Sequence, residues 1–359
     1  MSGLVVADSE FVSLPKIDVH AHLSGSLSHR TLTQLQHVFR TQFPGRSLPK
    51  IPDWFRSDQQ TAEFLDAQGN FDIVFHLFKI VQDLTQTLEA VKIAVENTLQ
   101  EFNDENVVYL ELRSTPRSVP GFMSKEDYLR TVLKTIQAGN QNLDLWTGFL
   151  VSIDRRLSQA EAQETLELAL RLREEFPDLL LGLDLSGDAR VGQAEDFLPL
   201  LVRGRDLGLK LAVHLAEVPN ATEVEKVVKE LGPDRIGHGT CFHPSTGGSD
   251  YLYDLLLASR IPVEICLRSN LIARSVPVYE KHHLVPLWKS GHPVIICTDD
   301  KGVFSCTSSI EYQRAAKLVG MENDAKAFSK HLFPETLKYI FASDEIRDKI
   351  SAKMVTFQK

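Results

Sequence analysis

Positive charge is in short supply in this chain. Its 39 Lys and Arg are outnumbered by 48 Asp and Glu, which leaves a net charge of −9 at neutral pH. A nucleic-acid backbone is therefore not an expected partner. An anionic small molecule would need a local basic pocket to overcome the general repulsion. Cysteine is scarce as well. Cys241, Cys266, Cys297 and Cys306 are the four, and none has the CxxC spacing of a zinc knot. They suit buried free thiols better than a disulfide framework. Long apolar runs are missing: none approaches the ~18 residues of a membrane span, so no membrane contact is expected. Met1 to Glu10 lacks a basic stretch followed by an apolar one, so no secretory leader is expected. No internal repeat, low-complexity tract or interdomain linker is visible. These absences point to a reduced, cytoplasmic protein.

What is present is ordinary globular material in quantity. The chain has 359 residues, 43% hydrophobic and 24% charged. That is long for one average domain but normal for an α/β barrel with an added helical layer. Eight segments read as strands: 16–22, 107–115, 144–153, 179–186, 209–215, 235–238, 261–267 and 293–298. Several are nearly continuous apolar runs, such as Val294-Ile295-Ile296-Cys297. Parallel strands covered on both faces look like this. Stretches of helical period lie between them. The stretch 158–176 opens with Ser158 and Glu161 at capping-box spacing, and Ala162, Leu166, Ala169 and Leu170 form its apolar stripe. Gly208 marks a helix end just before a strand. The alternation predicts a (β/α)8 TIM-type barrel spanning residues 1–359 as one domain.

One region interrupts the alternation. Between the first two strands, from about residue 28 to 106, the chain reads as helices rather than strand. Phe64, Phe71, Phe75 and Phe78 recur there at near-helical spacing, as core packing or as an apolar lid over the barrel mouth. The part from Glu322 to Lys359 reads as further helices that close the barrel.

Polar residues cluster where the apolar runs stop. His20-Ala21-His22, His214 with Glu217, Gly237-His238-Gly239, Ser269-Asn270 and Asp299-Asp300 each sit at the end of such a run. Active sites of barrels lie at that face. Residues i and i+2 of a strand face one way, so His20 and His22 can grip one ion. Glu217 follows His214 by three residues and must lie beyond the strand, where a proton-transfer group would stand beside a metal. Asp299 and Asp300 would repel each other unless a cation held one of them, which would leave the other as a hydrogen-bonding base. Each cluster alone has a plainer reading: surface histidines, a solvated Glu, a turn His, or an N-cap pair before a helix over 305–319.

In combination and in this order, the clusters resemble the adenosine/AMP deaminase family of metal-dependent hydrolases. The resemblance covers nearly the whole chain and narrows to its adenosine deaminase-like branch, which acts on N6-methyl-AMP. The strings that carry it are Leu14-Pro15-Lys16, Leu112-Arg113-Ser114-Thr115-Pro116-Arg117, Leu183-Asp184-Leu185-Ser186-Gly187-Asp188, Asp234-Arg235-Ile236-Gly237-His238-Gly239-Thr240 and Cys297-Thr298-Asp299-Asp300-Lys301-Gly302-Val303. The resemblance implies one zinc ion on His20, His22, His214 and Asp299, acidifying a water that attacks C6 of a purine. It implies that protonated Glu217 protonates purine N1, and that His238 and Asp300 orient the water and carry its proton to the leaving amine. It places the Gly187 N–H on purine N3 and makes Asp154 a further substrate contact. The signature of the other zinc deaminases, His-x-Glu with Pro-Cys-x-x-Cys, does not occur.

Ser24 bears on the substrate. Adenosine deaminases proper resemble this chain but carry an Asp at the matching place, where it holds the ribose 5′-hydroxyl. Ser24 removes a charge that would repel a 5′-phosphate, and Thr115 and Arg117, flanked by Ser114 and Pro116, could complete an anion site. Gly25 and Ser26 could donate too. A lid-helix histidine frequent in the family corresponds here to Gln82, with His76 on the same helix. The expectation is a zinc-dependent hydrolase that turns N6-methyl-AMP and related N6-substituted purine monophosphates into IMP and the free amine. Its partner is then a small nucleotide, and a monomer is expected. The alternatives are an adenosine deaminase acting on the free nucleoside, and a non-catalytic nucleotide-binding barrel.

Overall fold

The computed structural model describes residues 6–68 and 72–358. Eight parallel strands follow one another in sequence order around a (β/α)8 barrel. They are β1 (Lys16–His22), β2 (Val107–Ser114), β3 (Trp146–Asp154), β4 (Leu180–Ser186), β5 (Lys210–Leu215), β6 (Arg235–His238), β7 (Val263–Ile265) and β8 (Val294–Ile296). Nearly every strand residue is buried, as the continuous apolar runs require when helices cover the sheet. β7 is shorter than the apolar run 261–267, because the chain turns into the helix Leu267–Ile272 directly after Cys266. The seam between β8 and β1 is closed at the C-terminal rim. There the Asp299 N–H donates to the His20 carbonyl at 2.8 Å and the His22 N–H donates to the Asp299 carbonyl at 2.9 Å.

Local signals set the helix ends. Gln159–Glu175 starts on the expected capping box, with Ser158 and Glu161 each bonding the other's backbone N–H. Leu198–Asp206 ends before Gly208, whose φ of +90° turns the chain into β5. Among the described residues the insertion after β1 holds four helices: His29–Gln42, Asp58–Gln68, Asp72–Leu84 and Leu88–Asn103. The phenylalanine stripe is thus divided between two helices. Phe64 stacks on Trp54 with ring centroids 4.7 Å apart, Phe75 and Phe78 sit 6.3 Å apart, and Phe71 lies outside the described residues. Asp299 and Asp300 do not cap a helix at 305–319. The helix there runs Ser308–Leu318, with Thr307 as its cap.

Helices Ala325–Leu337 and Asp344–Gln358 lie against the barrel, and the segment joining them seals its floor. Arg235 donates to the Tyr339 carbonyl at 2.8 Å and stacks 3.5 Å from the Phe341 ring, whose residue's N–H donates to Glu111 at 2.8 Å. All four cysteines are buried and free. No helix among the described residues is long and apolar enough to cross a membrane.

Candidate active site

The strand ends bring His20 and His22 of β1, His214 of β5 and Asp299 after β8 to one point. His22 Nε2 stands 3.2 Å from His20 Nε2 and 3.2 Å from His214 Nε2. Asp299 Oδ1 lies 3.3 Å from His20 Nε2 and 3.4 Å from His22 Nε2. Four ligands about 2.0–2.1 Å from a tetrahedral zinc would stand ~3.3 Å from one another. The donor set fits such an ion for a second reason. His20 Nδ1 is 2.7 Å from Glu264 Oε2, and His214 Nδ1 is 2.9 Å from Asp184 Oδ1. His20 Nδ1 is hydrogen-bonded to Glu264, which leaves its Nε2 lone pair for a cation, whereas His214 Nδ1 stands near Asp184 without the alignment of a hydrogen bond. Burial and Arg113 both push the His20 pKa down, yet Asp299 and Glu264 outweigh them and hold it up to about 9. His22 beside it is driven the other way, down to about 3, chiefly by burial, so the carboxylates favour one positive charge in the cluster and not several.

Both supporting carboxylates belong to one buried network inside the barrel. Arg113 of β2 bonds Asp184 at 3.0 Å and Glu264 at 3.1 Å. Arg235 of β6 pairs with Glu264 at 2.7 Å and with Glu111. Ser152 donates to the second oxygen of Asp184 at 2.7 Å. Asp18 serves elsewhere: its carboxylate accepts from Thr298 Oγ1 at 2.8 Å and from the His20 N–H at 3.1 Å, which ties β1 to the chain after β8. The strand bulges between Asp18 and Ala21, which re-aims the two histidines.

Three groups able to move protons surround the cluster. Glu217 lies two residues past β5, beyond Ala216, whose φ is +58°. Its Oε2 is 3.7 Å from His238 Nε2, and its Oε1 is buried without a hydrogen-bond partner among the described residues. Burial, more than any other influence, raises its pKa above that of an ordinary Glu. His238, at a φ of +62°, has its Nε2 3.8 Å from Asp299 Oδ2, and burial drives its pKa well down. Asp300 is buried, its Oδ1 lacks a partner among the described residues, and burial followed by the charge of Asp299 raises its pKa strongly. Asp299 is held well down: burial opposes this, and His20, His238 and His22 together outweigh it. Two adjacent carboxylates are thus driven in opposite directions, Asp299 toward the ionised form and Asp300 toward holding a proton more firmly. Gly25 makes room for the second, since a Cβ there would come within 1.7 Å of Asp300 Oδ1.

The residues expected at the substrate are placed less uniformly. Gly187, at a φ of +108°, follows β4 and packs on Asp154 at the end of β3, where an added Cβ would meet Asp154 Oδ1 at 2.4 Å. Asp154 also accepts from the Arg156 N–H at 2.9 Å and forms an ion pair with its guanidinium. Ser24 and Thr115 are half-buried, and Pro116 is buried. Ser26 Oγ donates to the His22 carbonyl at 2.7 Å, so its hydroxyl hydrogen is already used. Ser114 Oγ is 2.7 Å from Tyr128 Oη and is likewise engaged. Arg117 donates to Thr85 Oγ1 at 2.6 Å and to the Thr85 carbonyl, just past the helix Asp72–Leu84. Burial is the main influence on Arg117 and lowers its pKa. Gln82 and His76 are both exposed on that helix.

Sequence reasoning gave no role to Asp184, Glu264, Arg113, His282 or His283. A signal existed for the first three: charged residues inside otherwise apolar strands must find partners across the barrel. His282 and His283 carried no such mark.

Comparisons with known proteins place the chain among its relatives. The family profile for adenosine deaminase matches residues 15–356. A human protein named N6-Methyl-AMP deaminase is 39% identical over 346 residues, covering 96% of this chain and 93% of that one. A zebrafish (Danio rerio) protein of the same name is 38% identical, covering 96% and 95%. The crystal structure of Arabidopsis ADAL complexed with IMP superposes with a TM-score of 0.82 at 34% identity, covering 96% of this chain and 97% of that one. A further structure of the Arabidopsis protein holds GMP.

Proposed function

From the premise that this chain belongs to the adenosine deaminase family and is a hydrolytic deaminase, we propose that it converts N6-methyl-AMP, and related N6-substituted purine nucleoside monophosphates, to IMP and the free amine. The observation that carries the reading is the convergence of three imidazole Nε2 atoms and one carboxylate at 3.2–3.4 Å, beside Glu217, whose Oε1 is buried and whose pKa is raised. A zinc ion held there by His20, His22, His214 and Asp299, one per chain, supplies Lewis acidity that makes water nucleophilic near neutral pH.

The chain's own residues do the rest. Glu217, whose pKa burial raises above that of an ordinary Glu, donates its proton to purine N1 and so draws electrons away from C6. Asp300 takes a proton from the attacking water, and His238 hydrogen-bonds the same oxygen. Asp300 then passes that proton to the substituent nitrogen, the C6–N bond breaks and the amine leaves, and the second proton of the former water leaves the C6 oxygen to restore Glu217, so that C6 ends as a carbonyl. The Gly187 N–H meets purine N3, and Asp154 supports that edge of the base. Ser24 brings no negative charge to the 5′ end of the nucleotide. Arg117 is a partly desolvated cation whose side chain is bonded to neutral Thr85, and it gains from a phosphate. Thr115 offers a further hydroxyl, Ser114 and Pro116 shape that wall, and Gln82 closes over the base from the lid helix. Relatives that bind IMP and GMP are in keeping with a nucleotide site.

The test is a steady-state comparison of adenosine, AMP and N6-methyl-AMP on one preparation of known metal content. N6-methyl-AMP should have the highest kcat/KM. Arg117→Met should lower kcat/KM for monophosphates by roughly 10–150-fold, the value of a charge-assisted bond, and spare the nucleoside. A clear preference for free adenosine would replace this reading with that of a nucleoside deaminase.

A further inference from the structure

One motif at the strand ends, Ser269-Asn270, has no part in the chemistry above. Its asparagine sits in a chain of hydrogen bonds whose polarity can be read from one end to the other. The Leu284 backbone N–H points at His282 Nδ1 at 3.1 Å. A backbone N–H only donates, so this Nδ1 must be the bare, accepting nitrogen. Burial holds His282 neutral, so its hydrogen resides on Nε2. His282 Nε2 is 3.1 Å from Asn270 Oδ1 and donates to it. The amide is thereby oriented with its NH2 toward His238, where Nδ2 lies 3.1 Å from His238 Nδ1. That Nδ1 must accept, so the imidazole hydrogen of His238 lies on Nε2. This is the nitrogen 3.7 Å from Glu217 Oε2 and 3.8 Å from Asp299 Oδ2.

The neighbouring histidine supports the same residue from behind. His283 Nε2 is 2.7 Å from the His238 carbonyl and donates to it. The rings of His282 and His283 stack with centroids 4.3 Å apart. Adjacent residues of one loop thus hold both the side chain of His238 and its left-handed backbone.

We propose that Asn270 and His282 are positioning residues that lock His238 in the Nε2–H tautomer, making it a hydrogen-bond donor to the attacking oxygen and not its base. The role assigned to that oxygen rests on the deaminase reading; the tautomer rests on the hydrogen-bond chain alone. Division of labour follows. His238 orients the oxygen, and the proton goes to Asp300, whose Oδ1 has no partner among the described residues.

Nitrogen-15 NMR of the metal-loaded protein, labelled at histidine and assigned with His238→Gln, tests this directly. His238 Nδ1 should resonate as a bare, pyridine-type nitrogen and Nε2 as a protonated, pyrrole-type one. In Asn270→Asp, which has the same shape but accepts at both ends, the hydrogen should move to Nδ1. There kcat should fall roughly 10²–10⁴-fold, as when an active-site imidazole holds the wrong tautomer, with KM little changed. His282→Phe frees the amide to turn over and should also lower kcat. His282→Gln keeps an N–H aimed at Asn270 and should restore most of it. A hydrogen on Nδ1 in the unaltered protein overturns the proposal, as does an Asn270→Asp kcat within about threefold of the parent. If the substrate assignment were wrong, the nitrogen spectrum would still decide the tautomer.

Discussion

Asp299 and His20 are joined twice. The Asp299 N–H donates to the His20 carbonyl at 2.8 Å, and Asp299 Oδ1 stands 3.3 Å from His20 Nε2. The first contact closes the barrel, and the second is part of the proposed metal set. The two functions separate by mutation. Asp299→Asn keeps the backbone bond and a residue type that tolerates the φ of +63° there. It removes the charge that holds a cation. Metal content and activity should collapse, while the melting temperature of chelator-treated protein moves by no more than the few degrees that ~1 kcal/mol produces. Asp299→Val should lose ~1–2 kcal/mol more, the cost of left-handed backbone for a β-branched residue that lacks the local hydrogen bonding of Asn. Equal melting temperatures for the two variants would show that the backbone conformation at this seam carries no such cost.

Arg113 bridges the two carboxylates that face the metal-site imidazoles, bonding Asp184 at 3.0 Å and Glu264 at 3.1 Å. Glu264→Gln and Asp184→Asn should each reduce metal affinity by roughly 10–100-fold, the usual loss when an outer carboxylate is neutralised. Their effects should not add. Removing one carboxylate leaves Arg113 free to pull the other, so the cycle should show a coupling of ~0.5–3 kcal/mol. Metal-competition titrations of both single variants and the double variant give that coupling. A sum within experimental error would mean that the two imidazoles are held independently.

The barrel was legible because its strands are apolar runs that stop at polar clusters, and Lys16–His22 and Arg235–His238 begin and end where those runs do. The residues of the His/Asp cluster that could hold a metal were legible for the same reason: His20, His214 and Asp299 stand at the ends of apolar runs. Partners across the barrel were not. Glu264 and Asp184 lie in different strands from His20 and His214, and only the closed sheet makes them neighbours. Ala216, His238 and Asp299 all take positive φ, yet none is glycine, so the sequence carries no warning of the strain at this rim. The chain from Leu284 through His282 to Asn270 crosses a loop with no periodicity to read.

Gly25 tests how tightly Asp300 must be held. Its φ is not among the positive ones, so alanine is allowed by the backbone. The obstacle is a Cβ that would sit 1.7 Å from Asp300 Oδ1 and 2.2 Å from its Cγ. The carboxylate must move by more than a bond length in a buried site. A displacement of ~1 Å in a reacting group can cost 10²-fold in rate, and kcat of Gly25→Ala should fall by about that factor. Metal content should remain at the parent level, because Asp300 is not one of the four proposed ligands. Unchanged kcat would remove Asp300 from the proton path, whereas loss of metal would show that the disturbance had spread to Asp299.

Acid sensitivity should come in part from histidines that take no part in the chemistry. His292 is buried with its Nε2 2.8 Å from the Ile261 carbonyl, and burial outweighs that bond to lower its pKa to about 4. An unfolded histidine titrates near its ordinary value of about 6.5. Above that pH both states are neutral here, and the contribution of His292 to stability is complete. As pH falls from about 6.5 toward 4, the unfolded chain binds a proton that the folded protein refuses, so stability declines. Below that window both states are protonated and the loss is finished. His283, whose pKa is also lowered to about 4 by burial, behaves in the same way. His292→Gln retains an N–H for the Ile261 carbonyl and removes the titration. Urea unfolding of parent and variant, each stripped of metal, should agree in pH dependence above pH 7. Below about pH 6.5 the parent should lose stability faster, by up to ~1.4 kcal/mol per pH unit for the one proton. Because every other titrating group is common to both proteins, a difference that stays flat from pH 7 to 5 would show that His292 is as easily protonated in the folded chain as in the unfolded one.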